Sequence, residues 1–462
     1  MLTYFFDKTR HCPMYRQLYE FIKQDILGGK LRAGEKLPSK RALAEHMKIS
    51  VITVENAYAQ LVAEGYVDTK EKSGYFVNSI EEMPTPKPQK PLPTPPETET
   101  PAFVDFRTNH ICEENFPCAT LTRLMRDALH EKQGLLLPLP GNGLRELREA
   151  IANHLYHFRE IRVDAEQIII GAGTEYLYHL LIQLLGRDKV YALEDPGYQK
   201  IARIYQLNDV FCRSVELDRQ GLSVERLRQT DAEILHISPT HHFPTGIVMP
   251  IGRRQELLRW ASEADERTII EDDYDSEFRF SGPPIPPLMS IDTLGKVIYV
   301  NTFSKSIAPT VRIAYMILPP ELLERYRRTM NVYSCSVSGL DQYMLAKFIG
   351  EGYFERHINR MKTLYRAKRD AVISAIQHSA FAKRVTIEEE HAGLHFLMKV
   401  DTDHTDAELL ARAKDEGVRL TFLSEYTQNP TQEDRHILVM NYSGIDTEML
   451  PQAMGKLEKI LE

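Results

Sequence analysis

Cysteine is scarce in this chain. Only Cys12, Cys112, Cys118, Cys212 and Cys335 occur in 462 residues, odd in number and with no C-x-x-C pair. That pattern excludes a disulfide framework and a zinc knuckle, and it predicts a reducing, cytoplasmic setting. No run of about 18 apolar residues occurs, so no membrane span is expected. The N-terminus, MLTYFFDKTRHCP, lacks the apolar stretch of a secretory signal. HEKQ and HHF lack metal-ligand spacing with supporting acids, so no metal is expected.

What is present is a globular composition, 43% apolar and 26% charged, long enough for more than one core. The net charge of −8 is uneven. Residues 1–80 hold 12 Lys+Arg against 9 Asp+Glu, whereas the remainder carries −11. Two modules with different partners are expected. The division lies in MPTPKPQKPLPTPPETETPAF, Met83 to Phe103, which holds eight prolines and no glycine. Proline fixes φ and cannot feed a helix or an inner strand, so an extended, semi-rigid polyproline spacer is expected here. The expected domains are residues 1–80, a linker over 81–103, and residues 104–462.

In the first module Tyr15, Leu18, Tyr19, Ile22 and Ile26 recur at helical spacing before Gly28-Gly29. Ser39 caps a second helix. A turn at Ile49-Ser50 leads to a third, with Val54, Ala57, Tyr58, Leu61 and Val62 on one face. YVDTKEKSGYFV then alternates and turns as a β-hairpin. This is a winged helix-turn-helix pattern. Its third helix presents Ser50, Val51, Ile52, Thr53 and Asn56 to base edges. Lys40 and Arg41 face phosphates, as do Lys70 and Lys72 from the wing near Gly74. LPSKRALAEHMKIS and the landmarks that follow it resemble the GntR DNA-binding domain over about residues 11–78. That resemblance implies double-stranded DNA as a partner. One departure stands out: Ile49 to Asp68 contains no Lys or Arg, and Val51 and Glu55 stand where family members often carry Arg. A helical protein-interaction module is the competing reading.

After the linker, QIIIG, KVYALE, EILHIS, RTIIED, KVIYVN and IAYMIL read as strands between helices. They predict a large, mostly parallel sheet with both faces covered. From about Tyr326 long helices follow, then an α+β tail with GLHFLMKV and HILVMNY. Within VNTFSKSIAPTVRIAYMIL, Lys305 stands among Thr302, Ser304 and Ser306, with Arg312 beyond. Hydroxyls and a guanidinium suit a phosphate dianion. A lysine there is either another cation or an amine that condenses with a carbonyl. Upstream, GAGT with Gly173 and Thr174 opens a helix whose N-terminus can hold phosphate. EDPGY sets Tyr198 where its ring can cover a flat one. IIEDDYDSEF ends a buried strand in acids that need a cation. Pyridoxal phosphate meets all three needs with its phosphate, pyridinium and aldehyde.

Together these motifs resemble fold-type-I aminotransferases over about residues 104–462. By that resemblance Lys305 carries pyridoxal phosphate as the internal aldimine. Asp272, with Asp273 as its competitor, pairs with the pyridinium, and Tyr274 reaches the ring hydroxyl. Tyr198 stacks on the ring, while Gly173, Thr174, Thr302, Ser304 and Arg312 hold phosphate. Arg435, before HILVMNY, takes the place of the arginine that binds the ligand carboxylate; a surface salt bridge is the alternative. Many aminotransferases carry Asn before P-T-G, where this chain has Phe243, and His241 or His242 is a candidate substitute. His395 reads as a packed core histidine.

A winged helix joined through a proline linker to such a domain resembles the MocR/GabR subfamily of GntR-type regulators. The resemblance implies a homodimer, swapped head-to-tail, with pyridoxal phosphate at the subunit interface. It also implies an amino compound that forms an external aldimine at Lys305 and so alters dimer geometry and operator binding. Two other functions fit the same residues. One is an active class I/II-type aminotransferase with an accessory or autoregulatory DNA-binding domain. The other is a sensor of the cofactor itself.

Overall fold

The computed structural model describes residues 2–7, 12–71, 73–80, 102–109, 113–131, 137–280, 282, 284–330, 332–389, 391, 393–432 and 434–462. The proline-rich segment lies outside these residues except for Ala102 and Phe103, as does Lys72. The chain divides into two compact units, Met1–Glu99 and Thr100–Glu462.

In the first unit, α1 (Met14–Leu27), α2 (Lys40–Met47) and α3 (Val51–Ala63) precede a hairpin of β1 (Val67–Lys70) and β2 (Gly74–Val77). Leu18, Ile22 and Ile26 are buried at four-residue spacing on α1. They meet Leu43 of α2 and Val54, Ala57, Tyr58 and Leu61 of α3. Ser39 and Ser50 cap α2 and α3, each side-chain oxygen accepting from the third backbone N–H that follows it. Val67 pairs with Val77 and Lys70 with Gly74, closing the wing.

The second unit begins at β3 (Val104–Asp105) and passes through helices α4 (Cys118–Glu131) and α5 (Arg145–Arg159). The main sheet holds β4 (Ile168–Gly171), β5 (Val190–Asp195), β6 (Phe211–Asp218), β7 (Gly221–Leu222), β8 (Ile234–Ile237), β9 (Thr268–Asp272), β10 (Val297–Thr302) and β11 (Ala314–Ile317). Their order is β4-β11-β10-β9-β8-β5-β6-β7. Pairing is parallel from β10 to β6, whereas β11 runs antiparallel to both β10 and β4. Successive strand residues serve opposite faces: Ile168 and Ile170 join one core, Ile169 another. The six apolar runs are all strands. β6 was not anticipated, because its residues are mostly exposed and polar and carry no buried run. Helices α6 (Thr174–Leu185) and α7 (Gln199–Gln206) leave the sheet at the ends of β4 and β5.

A 25-residue helix, Tyr353–Gln377, leads to a smaller antiparallel sheet of β12 (Val385–Glu388), β13 (His395–Val400) and β15 (Ile437–Asn441). The short strand β14 (Val418–Arg419) pairs in parallel with β3, tying the start of the unit to this α+β part. No helix among the described residues is long and apolar enough to cross a membrane.

Candidate functional site

The strand ends β4, β5, β9 and β10 converge on a cavity of about 1150 Å³. Such a crevice outside the carboxyl ends of parallel strands is where open α/β sheets bind ligands. Lys305 lines it, together with Thr174, Tyr198, Asp272, Tyr274, Thr302, Ser304 and Arg312. Lys305 follows β10 on a turn and has no hydrogen bond or ion pair among the described residues. Burial pushes its pKa down, Asp275 opposes that, and the Lys200 charge adds to it. More of the neutral, nucleophilic amine is therefore present than in an exposed lysine.

The two adjacent acids separate as strand alternation requires. Asp272 lines the cavity; its Oδ2 accepts from the Tyr178 hydroxyl at 2.5 Å, and His236 Nε2 lies 3.8 Å away. Its Oδ1 is buried with no partner among the described residues. Asp273 points elsewhere, accepting from Arg159 Nη2 at 2.6 Å and from the Tyr299 hydroxyl at 2.5 Å. The hydroxyl of Tyr274 meets His241 Nδ1 at 3.2 Å, and Asp275 Oδ2 lies 2.9 Å from the same nitrogen. Burial and then the charges of Asp275 and Asp272 push the Tyr274 phenol well up, so it stays protonated. His242 instead meets Thr245 at 2.7 Å. Neither histidine is among the residues lining the cavity, whereas His395 is. His395 is also buried, with its Nε2 3.0 Å from the Pro244 carbonyl.

At one end of the cavity Gly173 precedes α6 with φ +89°, and a Cβ there would come within 2.7 Å of Arg312 Nη2. Only glycine allows that close approach. Arg312 is itself left-handed, at φ +52°. Its guanidinium donates to the Ala172 carbonyl at 3.2 Å and to Glu175 Oε2 at 2.7 Å. Lys200 also bonds Glu175. Burial alone would raise the Glu175 carboxyl, but these two cations bring it down to about 2. Glu175 was not anticipated, since a first-turn acid on a helix is commonplace. It is a carboxylate beside the cation meant for phosphate. Glu175→Gln is therefore expected to tighten binding of pyridoxal phosphate by roughly three- to tenfold, as measured by dialysis or fluorescence quenching.

Arg435 does not reach the cavity. It is exposed on the turn before β15, and the end of that strand that lines the cavity is Asn441. Arg435 stands on the turn two residues before Ile437, at the opposite end of the strand from Asn441.

The helix-turn-helix face shows a second departure. Lys40, expected to grip phosphate, bonds Glu55 of α3. The Ser39 and Ser50 hydroxyls serve as caps, and Ser50 also meets the Thr53 hydroxyl at 2.8 Å. Arg41, Asn56 and Lys70 are exposed, as are Val51 and Ile52, Ile52 at 68%. Glu55→Gln frees Lys40 and removes a negative charge from this face. Operator affinity is expected to rise several-fold. The plot of log affinity against log salt is expected to steepen by about 0.9, one further phosphate contact, in anisotropy titrations.

The aminotransferase class I and II family matches residues 102–457, and the bacterial regulatory proteins of the gntR family match residues 14–77. The probable rhizopine catabolism regulatory protein MocR of Rhizobium meliloti is 31% identical over 98% of this chain and 94% of its own length. The chain belongs to the MocR/GabR subfamily of GntR regulators. Two further relatives, the uncharacterized HTH-type transcriptional regulators YdeL and YhdI of Bacillus subtilis (strain 168), are 35% and 36% identical over 99% of this chain. They are covered over 98% and 97% of their own lengths. An archaeal alanine:glyoxylate aminotransferase structure shares the fold at TM-score 0.69, with 24% identity over 78% of this chain and 90% of that one. A MocR-type chain joins a DNA-binding helix-turn-helix to an aminotransferase fold that implies pyridoxal phosphate. The cavity fits that group. The partnerless Asp272 Oδ1 lacks a cationic donor, which a protonated pyridine nitrogen supplies. The glycine-opened helix start with Arg312 forms a cradle for phosphate, and Lys305 offers an amine.

Proposed function

We propose that this MocR-type regulator binds operator DNA with an affinity set by an amino compound captured in the cavity in exchange for the Lys305 amine. The observation that carries this is the unpartnered Lys305 in one cavity with the partnerless carboxylate oxygen of Asp272. Pyridoxal phosphate, when bound, supplies an aldehyde carbon that primary amines capture reversibly. The chain's own groups do the rest. Asp272 accepts a hydrogen bond at Oδ1 while Tyr178 steadies Oδ2. Tyr274 donates from its protonated hydroxyl, with His241 and Asp275 behind it. Tyr198 covers the ring. Gly173, Thr174, Thr302, Ser304 and Arg312 hold the phosphate end. Lys305 is freed when another amine takes its place, and its contacts change.

A homodimer, swapped head-to-tail, would carry that local change to the operator-binding helices. If the two dimer geometries differ in operator affinity, effector and DNA must influence each other reciprocally. One relative is named as a probable rhizopine catabolism regulatory protein and another as a pyridoxine biosynthesis regulator, so a sensor of the cofactor itself is kept as a reading beside the amino compound. A working aminotransferase is the second reading, favoured by the grouping of Lys305, Asp272, Tyr274 and Tyr198 around one cavity. Against it stands Phe243, which replaces a hydrogen-bonding Asn with a ring packed edge-on against Tyr198 and Tyr426.

Operator binding by the full chain, measured without cofactor, with pyridoxal phosphate, and with pyridoxal phosphate plus a panel of amines, separates the readings. A shift only in the third condition is expected. A shift complete with cofactor alone indicates a cofactor sensor. Multiple turnovers with a keto acid indicate an enzyme.

A further inference from the structure

A helix laid in the major groove selects base pairs through the side chains on its outward strip. On α3 that strip is Ile52, Glu55, Asn56 and Ala59, all exposed and spaced as i, i+3, i+4 and i+7. They lie opposite Val54, Ala57, Tyr58 and Leu61, which are buried in the core of the unit. Val51 flanks the strip in the first turn.

The chemistry of the strip is narrow. Arg and Lys, the residues that pair with N7 and O6 of guanine, are absent from Ile49 to Asp68. Lys40, Arg41 and Lys48 lie on α2 and at its C-terminal end. Lys40 is joined to Glu55, the one charge of the strip. The Ser50 and Thr53 hydroxyls are bonded to each other, and Ser50 also caps α3. Apolar surface and one amide remain. Ile52 is 68% exposed and Val51 42%, so both have apolar area to bury on a partner. The methyl group that bases present in the major groove is the C5-methyl of thymine. Asn56 is exposed and has no hydrogen bond among the described residues. An asparagine amide pairs with N6 and N7 of adenine. The two kinds of side chain therefore call for the same base pair.

We propose that Ile52, with Val51 beside it, packs on thymine methyl groups while Asn56 pairs with adenine, so that the base pairs covered by α3 are A·T. Arg41, Lys48 and Lys70, all exposed, contact phosphates and add affinity without sequence preference. The assignment rests on the DNA-binding half of the proposed function and is independent of the cofactor.

The test begins with a pool of duplexes randomised at their centre and selected by the full chain at one fixed salt concentration, because salt sets the background affinity. The enriched duplex is then remade with deoxyuridine in place of each thymidine in turn, which removes the methyl group and keeps the pairing. Wild type is expected to lose about three- to fivefold in affinity at one or two thymidines per half-site, the worth of one buried methyl group. Ile52→Ala is expected to bind the thymidine duplex more weakly by at least that factor, and to be indifferent to deoxyuridine at one of those positions. Ile52 is exposed and alanine is the better helix former, so this variant should keep the wild-type unfolding midpoint. Its salt dependence should also match wild type, since no phosphate contact is lost. Asn56→Ala is expected to cost roughly tenfold and to admit other bases at one position. A half-site dominated by G·C pairs, a wild type insensitive to every deoxyuridine, or an Ile52→Ala protein with the full wild-type deoxyuridine profile overturns the assignment. A pool in which no sequence is enriched overturns it together with the operator reading. An intact deoxyuridine profile in a protein that ignores every amine supports the assignment and overturns the amine-sensing function alone.

Discussion

Lys305→Ala is expected to abolish the visible absorbance that wild type acquires with pyridoxal phosphate, and to leave nothing for borohydride to fix. Alanine removes the amine that follows β10 without touching the strand, so the sheet should be unchanged. The second readout is DNA. Where wild type changes its operator affinity on addition of an amino compound, by about 5- to 150-fold for an ordinary allosteric coupling, the variant should not respond. The pH dependence adds a check on the environment. Because burial depresses the Lys305 pKa, the neutral amine predominates from a lower pH than in a free lysine, whose pKa is about 10.4. The rate of cofactor capture by wild type should therefore rise with pH and level off below that value. A plateau only at or above it would show that the amine is solvated like a surface lysine. An amine-responsive Lys305→Ala protein would remove this lysine from the mechanism altogether.

Asp272→Asn and Asp273→Asn should fail in different ways, although the residues are neighbours. Asparagine at 272 can still accept from Tyr178, but it offers a neutral oxygen or an amide to a cationic ring nitrogen. A lost charge-assisted bond to a buried group is worth about 1.5–3 kcal/mol. Pyridoxal phosphate affinity is thus expected to fall roughly ten- to a hundredfold, with little change in thermal stability. At position 273 the partners are Arg159 and Tyr299, all buried. Removing one side of a buried ion pair costs about 3–5 kcal/mol of folding stability. Asp273→Asn should therefore lower the unfolding midpoint while any protein that folds keeps its cofactor affinity. Equilibrium dialysis beside denaturant melts tells them apart. Equal losses of affinity would show that the cavity does not distinguish the two acids.

Much of the large sheet was legible because its strands are buried on both faces, and such strands read as continuous apolar runs. β6 carries no such run, being polar and mostly exposed, and it stayed hidden. The helix-turn-helix was legible because caps and turns are local: Ser39, Ser50 and the Lys70–Gly74 pairing depend on residues a few positions away. The choice between Asp272 and Asp273 was narrowed to one acid per face by the two-residue period of a strand. Which face held the cavity required the partners Tyr178 and Arg159, which lie 94 and 114 residues away. Arg435 was misplaced for a similar reason. The late strand was recognised, but which of its ends meets the cavity depends on the pairing of β13 with β15 and on the docking of Phe106 at Asn441.

By itself the order of residues determined the two family modules, the secondary elements that repeat with a local period, and the residue types gathered around Lys305. Those properties arise from neighbours in the chain or from side-chain types that few cofactors suit. Tertiary structure alone decided that Glu55 engages Lys40, that Glu175 sits against Arg312, and that the Phe106 carbonyl docks on Asn441. Charges and polar groups act across space, and these partners lie 15, 137 and 335 positions apart. No periodicity along the chain encodes such distances.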